Sequence, residues 1–118
     1  MLQHVALEVR RDQVADCIEF WLLLGFTQVD PPDTLRERAA WVQRDGTQIH
    51  LLYVDRDPVT PPEGHAAVVA PDYDRAIDDL REAGFDPEPR GEHWGAPRSF
   101  VRDPVGHRVE VMAAPPPG

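Results

Sequence analysis

The feature that most constrains this chain is an internal repeat. His4-Val5-Ala6-Leu7-Glu8-Val9 opens one copy and His65-Ala66-Ala67-Val68-Val69-Ala70 the other, each a β-rich run that begins at a histidine. A helical stretch follows in both and closes on Gly-Phe, at Gly25-Phe26 and at Gly84-Phe85. Each copy ends with a glycine turn entering a short strand, Gly46-Thr47-Gln48-Ile49-His50-Leu51-Leu52 and Gly106-His107-Arg108-Val109-Glu110-Val111-Met112. A potential metal ligand stands four residues past the glycine in both. His4 and His50 are spaced as His65 and Glu110 are, to within one residue. A chain that echoes itself in this way builds the same supersecondary unit twice.

Periodicity supplies the elements of that unit. From Leu2 to Val9 the side chains alternate, so Val5, Leu7 and Val9 share one face and His4, Ala6 and Glu8 the other. Val14, Cys17, Ile18 and Trp21 then recur at helical spacing between Asp12, a predicted N-cap, and Gly25, a left-handed stop. Phe26 to Asp30 and Arg38 to Arg44 read as strands around a Pro31-Pro32-Asp33 loop, and Asp45-Gly46 as a tight hairpin turn into the strand of His50. The unit is β-α-β-β-β. In the second copy Asp72 caps a helix carrying Ala76, Ile77, Leu80 and Ala83, and strands run from Ser99 to Arg102 and from His107 to Met112. Asp86 to Arg98, rich in proline and glycine, is too irregular for a central strand and is a candidate lid bearing His93-Trp94-Gly95. The expected boundaries are 1–54 for the first module, 55–62 for a proline-broken linker, 63–114 for the second module and 115–118 for a disordered tail.

Composition narrows the partners. A net charge of −9 with no run of basic residues excludes the clustered positive charge that nucleic acid requires. The longest apolar stretch, Phe20 to Phe26, is too short to span a bilayer, and no leader of signal-peptide length is visible. The single cysteine, Cys17, has no intrachain partner and sits on the apolar face of the first helix, which suits a cytoplasmic protein. The chain has no lysine and no evident cluster of arginines to grip an anionic substrate.

Four ligand candidates thus occupy equivalent places on two equivalent frames: His4, His50, His65 and Glu110. Alternation keeps them off the more apolar strand faces, since His50 lies opposite Ile49 and Leu51, and Glu110 opposite Val109 and Val111. Imidazole with carboxylate suits one divalent ion, zinc, nickel, cobalt, manganese or iron(II), and two histidines with one carboxylate already make a facial triad with open positions. Trp94, Arg98 and His93 are the candidate substrate contacts; His93 and His107 are expected to be solvated in turn-rich segments, and Tyr53 and Glu8 carry less weight.

The runs His4-Val5-Ala6-Leu7, Phe20-Trp21-Leu22-Leu23-Leu24-Gly25-Phe26, His65-Ala66-Ala67-Val68-Val69 and Phe100-Val101-Arg102-Asp103-Pro104-Val105-Gly106-His107-Arg108-Val109-Glu110 resemble the vicinal oxygen chelate superfamily over nearly the full length. That superfamily includes glyoxalases, bleomycin-resistance proteins and extradiol dioxygenases. The resemblance implies an α+β fold of two βαβββ modules in a cupped, mostly antiparallel eight-stranded sheet, with one helix per module on the outer face. It also implies a metal held at the positions of His4, His50, His65 and Glu110, with Glu110 matching the glutamate that acts as base in glyoxalase I. His50 departs from the pattern, because the isomerases usually carry glutamate or glutamine there. The expected function is a metal-dependent lyase or isomerase acting on a small substrate with vicinal oxygens. Its alternatives are an extradiol-type dioxygenase and a metal-free, antibiotic-binding protein. A homodimer is the expected assembly.

Overall fold

The computed structural model describes all residues, Met1–Gly118. The chain divides into two compact units, Met1–Thr60 and Pro61–Gly118, and each is a βαβββ unit with a four-stranded sheet of its own. In the first, β1 (His4–Val9) leads through a 3-10 turn (Arg11–Gln13) into α1 (Val14–Leu23), followed by β2 (Thr27–Val29), β3 (Ala39–Arg44) and β4 (Thr47–Tyr53). The second has β5 (Ala66–Val69), α2 (Tyr73–Glu82), β6 (Glu88–Arg90), β7 (Arg98–Arg102) and β8 (Arg108–Met112). The sheets run β1-β4-β3-β2 and β5-β8-β7-β6. In each, the first and last strands of the unit are parallel neighbours and the other pairs are antiparallel.

The Gly-Phe echo is a helix stop made twice. Gly25 and Gly84 take positive φ, 87° and 93°. Their N–H groups donate to Leu22 and Arg81, while those of Phe26 and Phe85 donate five residues back to Trp21 and Leu80. This is the Schellman arrangement, which satisfies the last carbonyls of a helix and needs a residue without Cβ strain at the left-handed position. In the first unit Phe26 packs edge-on against Trp21 at 5.1 Å, the apolar contact that goes with the motif. Trp21, Phe20 and Cys17 are fully buried with Val9, Val42 and Leu51. Leu80, Val101, Val109 and Val111 form the corresponding core of the second unit.

The helix starts differ. Asp72 caps α2 with its side chain, which accepts from the Arg75 N–H. Asp12 does not cap α1: it lies inside the 3-10 turn, and Gln13 stands at the cap position without a side-chain bond. The irregular segment before β7 contributes β6, an edge strand in which Pro89 lies opposite Ser99. Proline has no N–H to give to a ladder and is tolerated at such an edge.

The two β-turns before the last strands also differ. Asp45 and Gly46 both have positive φ, the two-residue type I′ hairpin that joins paired Arg44 and Thr47. Between β7 and β8 the loop is longer and is built on Asp103, whose Oδ1 accepts from the N–H groups of Val105, Gly106 and His107. His107, expected to be solvated, is 3% exposed because that loop folds it inward beside buried Asp103. Burial pushes the Asp103 carboxyl above its ordinary pKa, against the pull of His107 and the three backbone donors.

Candidate functional site

Each unit places its ligand candidates on the sheet face opposite its helix-covered core. In the first unit, His50 of β4 lies opposite Trp41 of β3, and Gln48 opposite Gln43 and His4. That register stacks three rings across three strands. Trp41 and His50 are 4.0 Å apart and 3° from parallel, and His4 covers the other side of His50 at 4.0 Å and 13°. Gln48 accepts at Oε1 from His50 Nε2 (2.8 Å) and donates from Nε2 to Gln43 Oε1 (2.8 Å), which ties the imidazole edge to a side-chain amide chain. Burial first, and the adjacent His4 second, lower the His50 pKa below its ordinary 6.5. His4 is exposed, and its Nδ1 pairs with Gln3 Oε1.

In the second unit the same positions carry charge. Glu110 of β8 lies opposite Phe100 of β7, and its side chain is 9% exposed. One carboxylate oxygen, Oε1, faces His65 Nε2 at 3.0 Å, and the other accepts from Arg98 Nη1 at 3.3 Å. His65 Nδ1 donates to the Glu63 carbonyl at 2.8 Å. Both nitrogens of His65 thus face oxygens that can only accept. The pair is satisfied by a proton on each nitrogen, or by a proton on Nδ1 and a cation between Nε2 and the carboxylate.

The second arrangement tests the fit of a metal. Two donors at right angles on a divalent ion, each at about 2.1 Å, stand roughly 3 Å apart, the separation found between His65 Nε2 and Glu110 Oε1. An outer N–H given to a carbonyl is also the usual setting of a ligating histidine. His65 and Glu110 therefore fit as two ligands. Within neither unit do three or more His, Cys, Asp or Glu side chains gather around one point. His50 presents no comparable arrangement: its Nε2 is engaged with Gln48 and both ring faces are covered.

Around Phe100 the register assembles what the linear sequence disguised. Arg90, Arg98 and Arg108 come from three different strands, and their guanidinium carbons lie 5.4, 5.4 and 3.6 Å from the ring centre. A cavity of about 430 Å³ opens beside them, lined by Arg90, Phe100, Arg102 and Arg108 with Glu63 and Glu88. The expectation of no arginine cluster is thus corrected: residues far apart in sequence become neighbours across β6, β7 and β8. Each arginine of the cavity is already partnered, Arg90 with Glu88, Arg102 with the Gly106 carbonyl and Arg108 with Glu63. Arg98 turns to Glu110 and to the Gly91 carbonyl. Trp94 donates its indole N–H to the Ala114 carbonyl at 2.9 Å, and His93 stands beside it on the exposed segment. Trp41, Gln48 and Phe100 were not singled out from sequence, although strand alternation places all three on the ligand-bearing faces.

A family model for the glyoxalase, bleomycin resistance protein and dioxygenase superfamily matches residues 1–111, and the chain belongs to that superfamily. Similar solved structures include a protein from Bacillus anthracis described as a glyoxalase family member, 20% identical, covering 95% of this chain and 93% of that one at a TM-score of 0.85. The oxidase ChaP-H1 is 21% identical over 100% of this chain and 98% of its own, at 0.77. A glyoxalase/dioxygenase from Nostoc punctiforme is 23% identical over 98% and 92%, at 0.76. At these identities the likeness concerns the fold. No curated protein matches the chain. No helix is long and apolar enough to cross a membrane.

Proposed function

We propose that the protein is a metal-dependent enzyme of the vicinal oxygen chelate type that acts on a small substrate with two neighbouring oxygens, by oxygenase rather than isomerase chemistry. The observation that carries this reading is the pairing of His65 Nε2 with Glu110 Oε1 at a ligand-to-ligand separation, with Nδ1 anchored to a carbonyl. The resemblance supplies the third donor as His4, the counterpart of His65 in the first repeat. Two histidines and a carboxylate form the triad of non-haem iron(II) oxygenases.

Two features support the oxygenase branch over isomerisation. The isomerase reading asks for a fourth ligand at His50, and that ring is held within a stack by Trp41, His4 and Gln48. It also asks Glu110 to act as a mobile base, whereas Arg98 holds its Oε2. A divalent ion bound there supplies Lewis-acid chemistry and, as iron(II) or manganese, activation of oxygen. The chain's own part is to orient the carboxylate through Arg98 and to fix the His65 tautomer through the Glu63 carbonyl.

A metal-free binding protein is the second reading, favoured by the closed ion-pair network of His65, Glu110 and Arg98. One experiment separates them: anaerobic loading with iron(II), manganese, cobalt, nickel or zinc, metal analysis, then oxygen uptake with a panel of catechols and thioester formation from methylglyoxal with thiols. The expected result is about one ion per chain, lost in His65→Ala, with oxygen uptake in the iron or manganese form. No retained ion moves the protein to the binders. Thioester formation without oxygen uptake moves it to the isomerases.

A further inference from the structure

We propose that Arg98 is a positioning residue, a clasp that sets the orientation of Glu110 and fastens the segment Gly91–Pro97 to it through one guanidinium group. Arg98 opens β7, and its side chain is 13% exposed. From Nε it donates to the Gly91 carbonyl at 2.8 Å, and from Nη1 to Glu110 Oε2 at 3.3 Å. Gly91 is the first residue after β6, so this bond holds the segment where it leaves the sheet. The other end is held at the close of β8, where Ala113 N–H donates to the Pro97 carbonyl (3.0 Å) and Trp94 Nε1 to the Ala114 carbonyl (2.9 Å). The segment is thereby pinned at two places, and one of the pins also grips the carboxylate.

The chemistry of the group makes this a coupling rather than two separate bonds. A guanidinium is planar and rigid, and its donors diverge at fixed angles, so moving one acceptor moves the other or breaks a bond. A carboxylate as buried as Glu110 also requires a counter-charge. Arg98 supplies one on the side away from His65, which leaves Oε1 turned toward the imidazole. Lysine reaches one acceptor as a point charge and does not replace both. The inference rests on the placement of Glu110 in the proposed site, yet its test uses neither metal nor substrate.

The test is NMR on the metal-free protein and on Arg98→Lys, Arg98→Gln, Glu110→Gln and the double variant Arg98→Gln/Glu110→Gln. Two signals are followed: the His65 ring resonances, which report the carboxylate, and hydrogen exchange of the Trp94 indole N–H, which reports the segment. Amide exchange in α2 serves as the control for intact folding. Both Arg98 variants are expected to shift the His65 signals and to speed Trp94 exchange about tenfold, with Lys failing to rescue. Glu110→Gln is expected to speed Trp94 exchange as well, although Trp94 has no bond to Glu110, and the double variant is expected to add nothing further. Unchanged Trp94 exchange in Glu110→Gln, additive effects in the double variant, or wild-type behaviour of Arg98→Lys each overturns the clasp. A protein that shows all the expected coupling but retains no ion loses the metal reading and keeps the clasp.

Discussion

The two units offer a comparison that the chain makes with itself. At matching places in register stand Trp41 and Phe100, His50 and Glu110, Gln48 and Arg108, Gln43 and Arg102, with His4 and His65 at the start of each unit. On the first sheet these residues are rings and amides, and they settle into a stack joined by an amide chain. On the second, Glu110, Arg102 and Arg108 are ions, and the ring at the centre, Phe100, meets His65 edge-on at 4.9 Å and is surrounded by guanidinium groups. Duplication thus preserved the address of each side chain and let its chemistry diverge. The flat face of stacked rings suits contact with a planar group, while the charged face holds a carboxylate between His65 and Arg98.

The largest expected difference between the units lies in their turns. Asp103→Ala removes the acceptor of three backbone donors in a buried loop, at a cost of about 3 kcal/mol in urea unfolding. Asp45→Ala in the matching hairpin removes no such network and leaves a residue at φ 50°, costing about 1 kcal/mol. Equal losses would show that the two turns do the same work. The ring stack comes next. Trp41→Ala is expected to cost about 2 kcal/mol, and to raise the His50 pKa back toward 6.5 in an NMR titration by opening the ring to water. An unmoved titration would mean that His4, not burial, sets the shift.

The pH dependence of stability follows from the same histidine. Because the His50 pKa is lowered in the fold, the native state binds fewer protons than the unfolded chain as pH passes through that region. Its contribution is complete above pH 6.5 and is lost as pH falls through the lowered value. His50→Phe is expected to shrink the drop in unfolding midpoint between about pH 7.5 and about pH 5. An undiminished drop would place the acid sensitivity elsewhere. The smallest effect is expected at Glu8, which takes Arg56 on both oxygens at 2.7 Å and also accepts from the Val59 N–H. Arg56 is 57% exposed, so Glu8→Gln is expected to lower the unfolding midpoint only slightly, and the difference fades in high salt.

Much of the frame was legible in the sequence because it is local. Gly25-Phe26 and Gly84-Phe85 announce helix stops whose bonds span five residues, and Asp72 announces a cap three residues from its donor. Strand alternation put His50 and Glu110 on the correct faces. What escaped the reading depends on pairing across strands. The ring stack needs His4, Trp41 and His50 from β1, β3 and β4 in one register, and the arginines around Phe100 need β6, β7 and β8. His107 escaped for a related reason: a turn-rich composition signals exposure, whereas three bonds to one aspartate turned this loop inward. Asp12 matched the cap pattern but was absorbed by a 3-10 turn that begins one residue earlier.

The parallel pairing of β1 with β4, and of β5 with β8, governs how the chain can be made. Each unit lays down its first strand long before the neighbour of that strand exists, since His4 is matched to Gln48 and Ala66 to Val109. During synthesis β1 has no partner while α1, β2 and β3 emerge, and the antiparallel pair of β3 and β4, joined by a two-residue turn, closes first because it costs the least loop entropy. The opening strand is therefore the last to be stitched into its sheet. Until then its apolar side, Val5, Leu7 and Val9, stays uncovered by its sheet.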